Sequence, residues 1–358
     1  MSGLGSASIP QRVVASRIAR PASRVAGVGD LLRRRRDESG RRLEQFVGRA
    51  RVLEEALGDE PLCIYVTGSY GRLEARVGSD PEHGSDLDLF FLYGGEDSAA
   101  NLPRATWFRV AGRLIDLVQE LGFPPLSGDA EYLEIHNSGR MRAQLGSRQD
   151  DSVNAFTARM LLLLESRPVV KAALYDQLME EVVGFYFEDF DGHRADFRPT
   201  YLLNDILRFW RTLTLNYEHR RHARLHEAGG DEGKRQEAKE KTALQNLKLG
   251  FSRLSTCFSM VVPLAISAAP VTRGDVLALT EMSPTERWES IEDARVDALL
   301  QEYEWFLGVA GDEEAERAVV TDPDRREEAR GREQRFGDLV FDLLLDRADR
   351  KTLRYVVV

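Results

Sequence analysis

Sulfur chemistry has little to work with in this chain. Two of its 358 residues are cysteine, Cys63 and Cys257. Both stand in apolar surroundings without metal-ligand spacing, which predicts buried, reduced thiols and excludes a disulfide framework. The six histidines, at 83, 136, 193, 219, 222 and 226, form no zinc pattern. Long apolar runs are missing too. The longest, Cys257 to Ala269, is too short to span a bilayer and contains Pro263. No secretory signal is visible, so the expectation is a cytoplasmic protein with no membrane partner. Positive charge is in deficit: 49 Lys and Arg against 59 Asp and Glu leave a net −10. That balance argues against a general nucleic-acid binder while leaving room for a local basic cleft.

What is present describes an ordinary globular chain, 42% hydrophobic and 30% charged. Its length predicts two domains. Residues 1–28 are rich in Arg, Ser and Ala with no acidic residue, and are expected to be a flexible leader. Residues 29–57 carry a helical pattern, with Leu43, Phe46, Val47, Ala50, Leu53 and Leu57 on one face. The run Arg33 to Arg36 near its start is expected to be a solvated face. Leu62–Val66 reads as a buried strand, Gly68-Ser69 as a turn, and Tyr70 as the start of a short helix. Leu87–Tyr93 reads as a second strand, Thr106–Leu121 as an amphipathic helix, and Tyr132–His136 as a third strand. Strand and helix thus alternate over residues 29–150.

From residue 151 to 358 the pattern is all helical. Ser152 is expected to cap a helix stopped by Pro168, and Val169–Phe187 to form another. Pro199-Thr200 opens a third, with Tyr201, Trp210 and Tyr217 read as core. Residues 219–240 are dense in charge around Gly229-Gly230 and are expected to be a mobile connection. Asp312–Gln334 is read as solvated or partly disordered. The fold class expected is α+β: a small mixed sheet with flanking helices, followed by an all-α domain.

The chemistry concentrates in two places. An apolar run ends in Thr67-Gly68-Ser69-Tyr70-Gly71-Arg72, and a second carries Ser85-Asp86-Leu87-Asp88-Leu89. Residues i and i+2 of a strand share a face, which puts the Asp86 and Asp88 carboxylates side by side. An apolar strand tolerates that pair best when a hard cation holds it. A Gly-Ser turn beside it suits phosphate binding through backbone N–H groups. The expected ion is Mg²⁺ or Mn²⁺, joining these carboxylates to the phosphates of a nucleoside triphosphate. The competing reading is a surface edge strand, which the apolar Leu89-Phe90-Phe91-Leu92 run opposes.

These two motifs resemble the DNA polymerase β-type nucleotidyltransferase superfamily, and are most similar to the branch containing the bacterial P-II uridylyltransferase. The similarity is most specific over residues 45–150. Sixteen residues separate Ser69 from Asp86, a few more than that family usually has. The resemblance implies transfer of a nucleoside monophosphate to a hydroxyl-type acceptor with release of pyrophosphate. It also implies a third carboxylate on a neighbouring strand, for which Glu134 is the first candidate and Asp129 and Asp151 are rivals. Gly68, Ser69, Arg72 and Ser85 are the implied triphosphate contacts. Lys248 and Arg253 join them from the helical half, in a short element similar to one of that branch. The acceptor stays open between a protein side chain, an RNA end and a small molecule. Two alternatives stand beside the enzyme: a non-catalytic nucleotide-sensing module, and an interaction protein of toxin–antitoxin or defence type.

Overall fold

The computed structural model describes residues 29–77, 84–95, 102–126, 133–152 and 154–357. In chain order the elements are α1 (Asp30–Ala50), α2 (Val52–Leu57), β1 (Leu62–Thr67), α3 (Gly68–Gly71), β2 (Asp88–Tyr93), α4 (Arg104–Glu120), β3 (Ile135–Asn137), α5 (Ser138–Gln144) and α6 (Arg148–Ser152). They continue with α7 (Ala155–Glu165), β4 (Arg167–Val170), α8 (Ala172–Gly184), α9 (Thr200–Ala228), α10 (Glu232–Lys248), α11 (Leu254–Ile266) and α12 (Arg273–Glu281). The last are α13 (Pro284–Glu289), α14 (Arg295–Val309), α15 (Glu313–Thr321), α16 (Pro323–Arg347) and α17 (Arg350–Val357). This is an α+β chain with few strands. It divides into two compact units.

The first unit holds Arg34–Glu188 and Arg273–Ser283. Its four-stranded sheet has the order β3-β2-β1-β4. β1 is antiparallel to β2 and β4, while β2 and β3 are parallel. Every residue of β1 is buried, as a strand with helices on both faces requires. One face sets Ile64, Val66, Leu89 and Phe91 against Phe46 of α1 and Leu114 of α4. Each such side chain, fully buried, contributes about 1.5–3 kcal/mol. The other face is aromatic. Phe90 stacks on Tyr65 at 5.7 Å and on His136 at 6.1 Å, and Tyr175 of α8 lies 6.1 Å from Tyr65.

Several boundaries differ from the sequence reading. The helical pattern 29–57 is two helices, interrupted at Arg51. The third strand is Ile135–Asn137, later than expected. The helix expected after Ser152 begins instead at Ala155, after Asn154, whose φ of +53° breaks it from α6. β4 (Arg167–Val170) is a strand where a helix stop at Pro168 and a helix from Val169 were expected, and that helix starts at Ala172 instead. The strand lies at the sheet edge, the one place where a proline such as Pro168 does not cost a ladder bond. Consequently α7, β4 and α8 belong with the sheet, and the compact unit runs past residue 150 to Glu188.

The second unit, Asp189–Thr272 with residues from Pro284 onward and residues 29–33, is all helix. Residues 219–240, expected to be a mobile connection, form the end of α9, a turn and the start of α10. Gly229, at φ +53°, ends α9 with its N–H on the His226 carbonyl, and Asp231 caps α10 by accepting from the Lys234 N–H. The charge-dense stretch 313–334 is likewise helical, with Asp322 accepting from the Asp324 and Arg325 N–H groups ahead of Pro323. Phe251 is the centre of this unit's core, stacked on Phe306 and tilted against Phe336, each at 5.1 Å. Tyr201, read as core, is 43% exposed. The stretch Glu232–Ile266 is long and apolar enough to cross a membrane, yet 72% of its apolar window is buried inside the protein.

Candidate active site

The register of β1 and β2 builds the site. Thr67 pairs with Asp88, so the residue after β1 meets the first residue of β2. That residue is Gly68, at φ +65°. A Cβ there would fall 2.1 Å from Asp88 Oδ2. The Asp88 carboxylate therefore lies directly over the Gly68 Cα, and only glycine leaves it room. Asp86 precedes β2 rather than sitting in it, so the two aspartates do not share the strand as expected. Their burial still alternates: Asp86 and Asp88 are half-buried while Leu87 and Leu89 are buried. Both carboxylates thus turn away from the core.

Beneath the turn lies a network absent from the sequence reading. The Gly68 N–H donates to Glu165 Oε1 at 3.3 Å. Arg72 Nη1 donates to Glu165 Oε2 at 2.6 Å, and Arg72 Nε to Glu74 Oε2 at 2.9 Å. The side chains are 9% exposed for Arg72 and 1% for Glu165. Gly71 completes the arrangement, since a Cβ on it would sit 1.8 Å from the Glu165 carbonyl oxygen. Arg72, expected to contact triphosphate, is therefore bound into the protein beneath the turn. The Gly68 N–H, expected to meet phosphate, donates to Glu165. The sequence holds an Arg-x-Glu spacing at 72–74 and a lone acid closing the apolar run Met160–Leu164, but neither says that these residues meet.

Ser85 is also committed to the backbone. Its Oγ accepts from the Arg76 N–H at 3.0 Å, and its own N–H donates to the Arg76 carbonyl at 2.9 Å. This pair clasps the chain just before Asp86. Ser69 is half-buried at the turn, with its carbonyl accepting from the Glu74 N–H at 2.8 Å. Burial pushes the Tyr70 phenol up to about 12, the nearby Asp86 charge adding to the effect and Arg42 opposing it.

The third carboxylate is not where it was expected. Among the described residues no three acidic, imidazole or thiol groups gather to hold a metal ion. Glu134 is exposed and precedes β3. Phe91 pairs with Ile135, an offset of 44, which sets Glu134 level with Phe90 and two residues from the level of Asp88. That is about 7 Å along the strand direction. Glu134 instead lines a cavity of about 430 Å³ with Asn137, Arg140 and Ser152. Asp151 is exposed on α6, and Asp129 lies outside the described residues. His136 is core: burial pulls its imidazole down to about 4, so it is neutral near pH 7. Lys248 and Arg253 lie in the second unit, at the end of α10 and in the π-helical turn Leu249–Arg253.

The donor set that remains, two half-buried carboxylates, is all hard oxygen. Mg²⁺ commonly takes one or two carboxylates and completes its shell with substrate phosphates and water, so Asp86 and Asp88 fit such an ion. Comparison with protein-family models, with curated proteins and with solved structures gave no match.

Proposed function

We propose that this protein is a divalent-metal-dependent nucleotidyltransferase. The observation that carries the reading is the Asp88 carboxylate seated over the Gly68 Cα, with Asp86 just ahead of it. Asp86 and Asp88 would hold Mg²⁺ or Mn²⁺, which when bound neutralises phosphate charge and orients the triphosphate. In the transfer, an acceptor hydroxyl oxygen bonds to the α-phosphorus while the bond to the bridging oxygen breaks. The bridging oxygen leaves with the pyrophosphate, and the hydroxyl proton passes to a base. Glu134, exposed and lining its cavity, is the candidate for that base. Glu165, Arg72 and Glu74 fix the turn and so position Asp88.

A second reading has its own support. The Gly68 N–H is engaged by Glu165, and no third carboxylate joins the pair among the described residues. Both features suit a module that binds a nucleotide without transferring it.

The test is incubation with each α-labelled nucleoside triphosphate, Mg²⁺ or Mn²⁺, and cell extract separated into protein, RNA and small-molecule fractions. Label entering one fraction, with pyrophosphate release, identifies the acceptor class. Replacing Asp86 and Asp88 together by Ala should abolish transfer and leave the far-UV spectrum unchanged. Transfer surviving in that double variant refutes the site. Metal-dependent nucleotide binding with no pyrophosphate under any condition supports the sensing module instead.

A further inference from the structure

A second cavity lies wholly within the helical unit, bounded by α9, α10, α15 and α16. Its volume is about 480 Å³, within the range of small-molecule sites. Four cations line it, Arg221, Lys239, Arg326 and Arg330, against two carboxyl groups, Glu240 and Glu333. In a chain of net charge −10 that is a local reversal of sign.

Two polar atoms in this wall lack partners. Arg326 gives one terminal N–H to the Val320 carbonyl, but its buried Nε finds no acceptor among the described residues. Thr242 Oγ1, also buried, finds no partner there either. A buried polar group left in that state is costly.

Glu333 and Arg330 line both this cavity and a neighbouring hollow of about 380 Å³. Asn246 Nδ2 donates to the two Glu333 carboxyl oxygens at 3.4 and 3.3 Å. Burial pushes the Glu333 carboxyl above its usual range. Gly250, in the π-helical turn, presses its Cα on the same group: a Cβ there would fall 2.1 Å from Glu333 Oε1. π-Helical turns of this kind disrupt regular packing and recur at functional sites. The hollow beyond is walled by the half-buried Trp210 indole and Leu254.

We infer that the helical unit binds a nucleotide at this pair of cavities, independently of the Asp86/Asp88 site. The base lies against Trp210 and is read by Glu333, and the phosphates reach Arg326, Lys239 and Arg330. An aromatic platform, a positioned carboxyl group and a cationic pocket are complementary to the three parts of that ligand class.

The test is calorimetric titration of the full chain in EDTA, with ATP, GTP, AMP and GMP as probes and inorganic phosphate as the comparison. EDTA removes the metal that the Asp86/Asp88 site needs, so the two sites are read separately. Saturable one-to-one binding of at least one nucleotide is expected, tighter than phosphate and unchanged when Asp86 and Asp88 are both Ala. Arg326→Ala should weaken it about tenfold or more, the scale of one charge-assisted hydrogen bond. Lys239→Ala, on an exposed side chain whose loss leaves the fold alone, should weaken it as well. Failure of all four nucleotides to saturate, equal affinity for phosphate, or binding indifferent to both substitutions would overturn the inference. Binding lost in the Asp86/Asp88 variant would overturn it too.

Discussion

Gly68→Ala isolates the contact on which the site depends. The substituted residue must hold φ +65°, at about 1–2 kcal/mol for a side chain in the left-handed region. Its Cβ also falls 2.1 Å from Asp88 Oδ2. Turning the carboxylate aside costs about 0.5–1.5 kcal/mol more if Asp88 leaves its rotamer. Together the penalty is about 1.5–3.5 kcal/mol. In an Asp88→Ala background the oxygen is gone, and the Asp88 Cβ would be 3.5 Å away, an ordinary contact. Only the backbone part of about 1–2 kcal/mol then remains, a coupling of about 1 kcal/mol between the positions. Hydrogen exchange of the β1 and β2 amides, read by mass spectrometry, reports the stability of this unit without averaging over the second. Equal penalties in the two backgrounds would refute the close approach, whatever the protein's activity proves to be.

Other outcomes follow from the same geometry. Arg72→Met takes the guanidinium away from the buried Glu74 and Glu165 carboxylates and should cost about 3–5 kcal/mol in the same exchange measurement, against under 1 kcal/mol for the exposed Arg142→Met. His136 ties stability to pH. Its folded value of about 4 lies below the unfolded 6.5, so the unfolded chain binds the extra proton in that window. Stability should be complete above about pH 6.5 and fall by about 3 kcal/mol on titration to pH 4. His136→Phe, which keeps a ring against Phe90, should flatten that limb in denaturation curves taken across the window. An unchanged slope would mean that the imidazole is not the group responsible.

Much of the sheet was legible because its signals are local. The apolar run Leu62–Val66, the Gly-Ser turn and the run Leu87–Tyr93 each announce themselves within a few residues. They became β1, α3 and β2 almost at the expected limits. β4 was not legible: four residues with a proline carry no period, and their strand character comes from pairing with β1. The charged stretch 219–240 misled for the opposite reason. Its composition says solvent, yet two long helices can hold such residues on their outer faces once Gly229 and Asp231 set the turn. Asp86 and Asp88 were singled out from their spacing. Glu165 was not, since it reaches Arg72 from 93 residues away, and nothing local marks that distance. Arg72 was read as a ligand contact because its charge was visible and its buried partners were not.

The clasp between Arg76 and Ser85 has a consequence for variation in length. Two hydrogen bonds close the base of the intervening chain before it reaches Asp86. Residues added or removed beyond that neck need not move the aspartates. Doubling such a loop costs only about 0.6 kcal/mol in closure entropy. The interval between the Gly-Ser turn and the Asp-x-Asp pair is then a free parameter, while the register Thr67–Asp88 is not. Chains built this way could drift far apart in spacing and keep the same contact. The neck is also a natural insertion port, where a reporter peptide could be grafted without displacing Asp86.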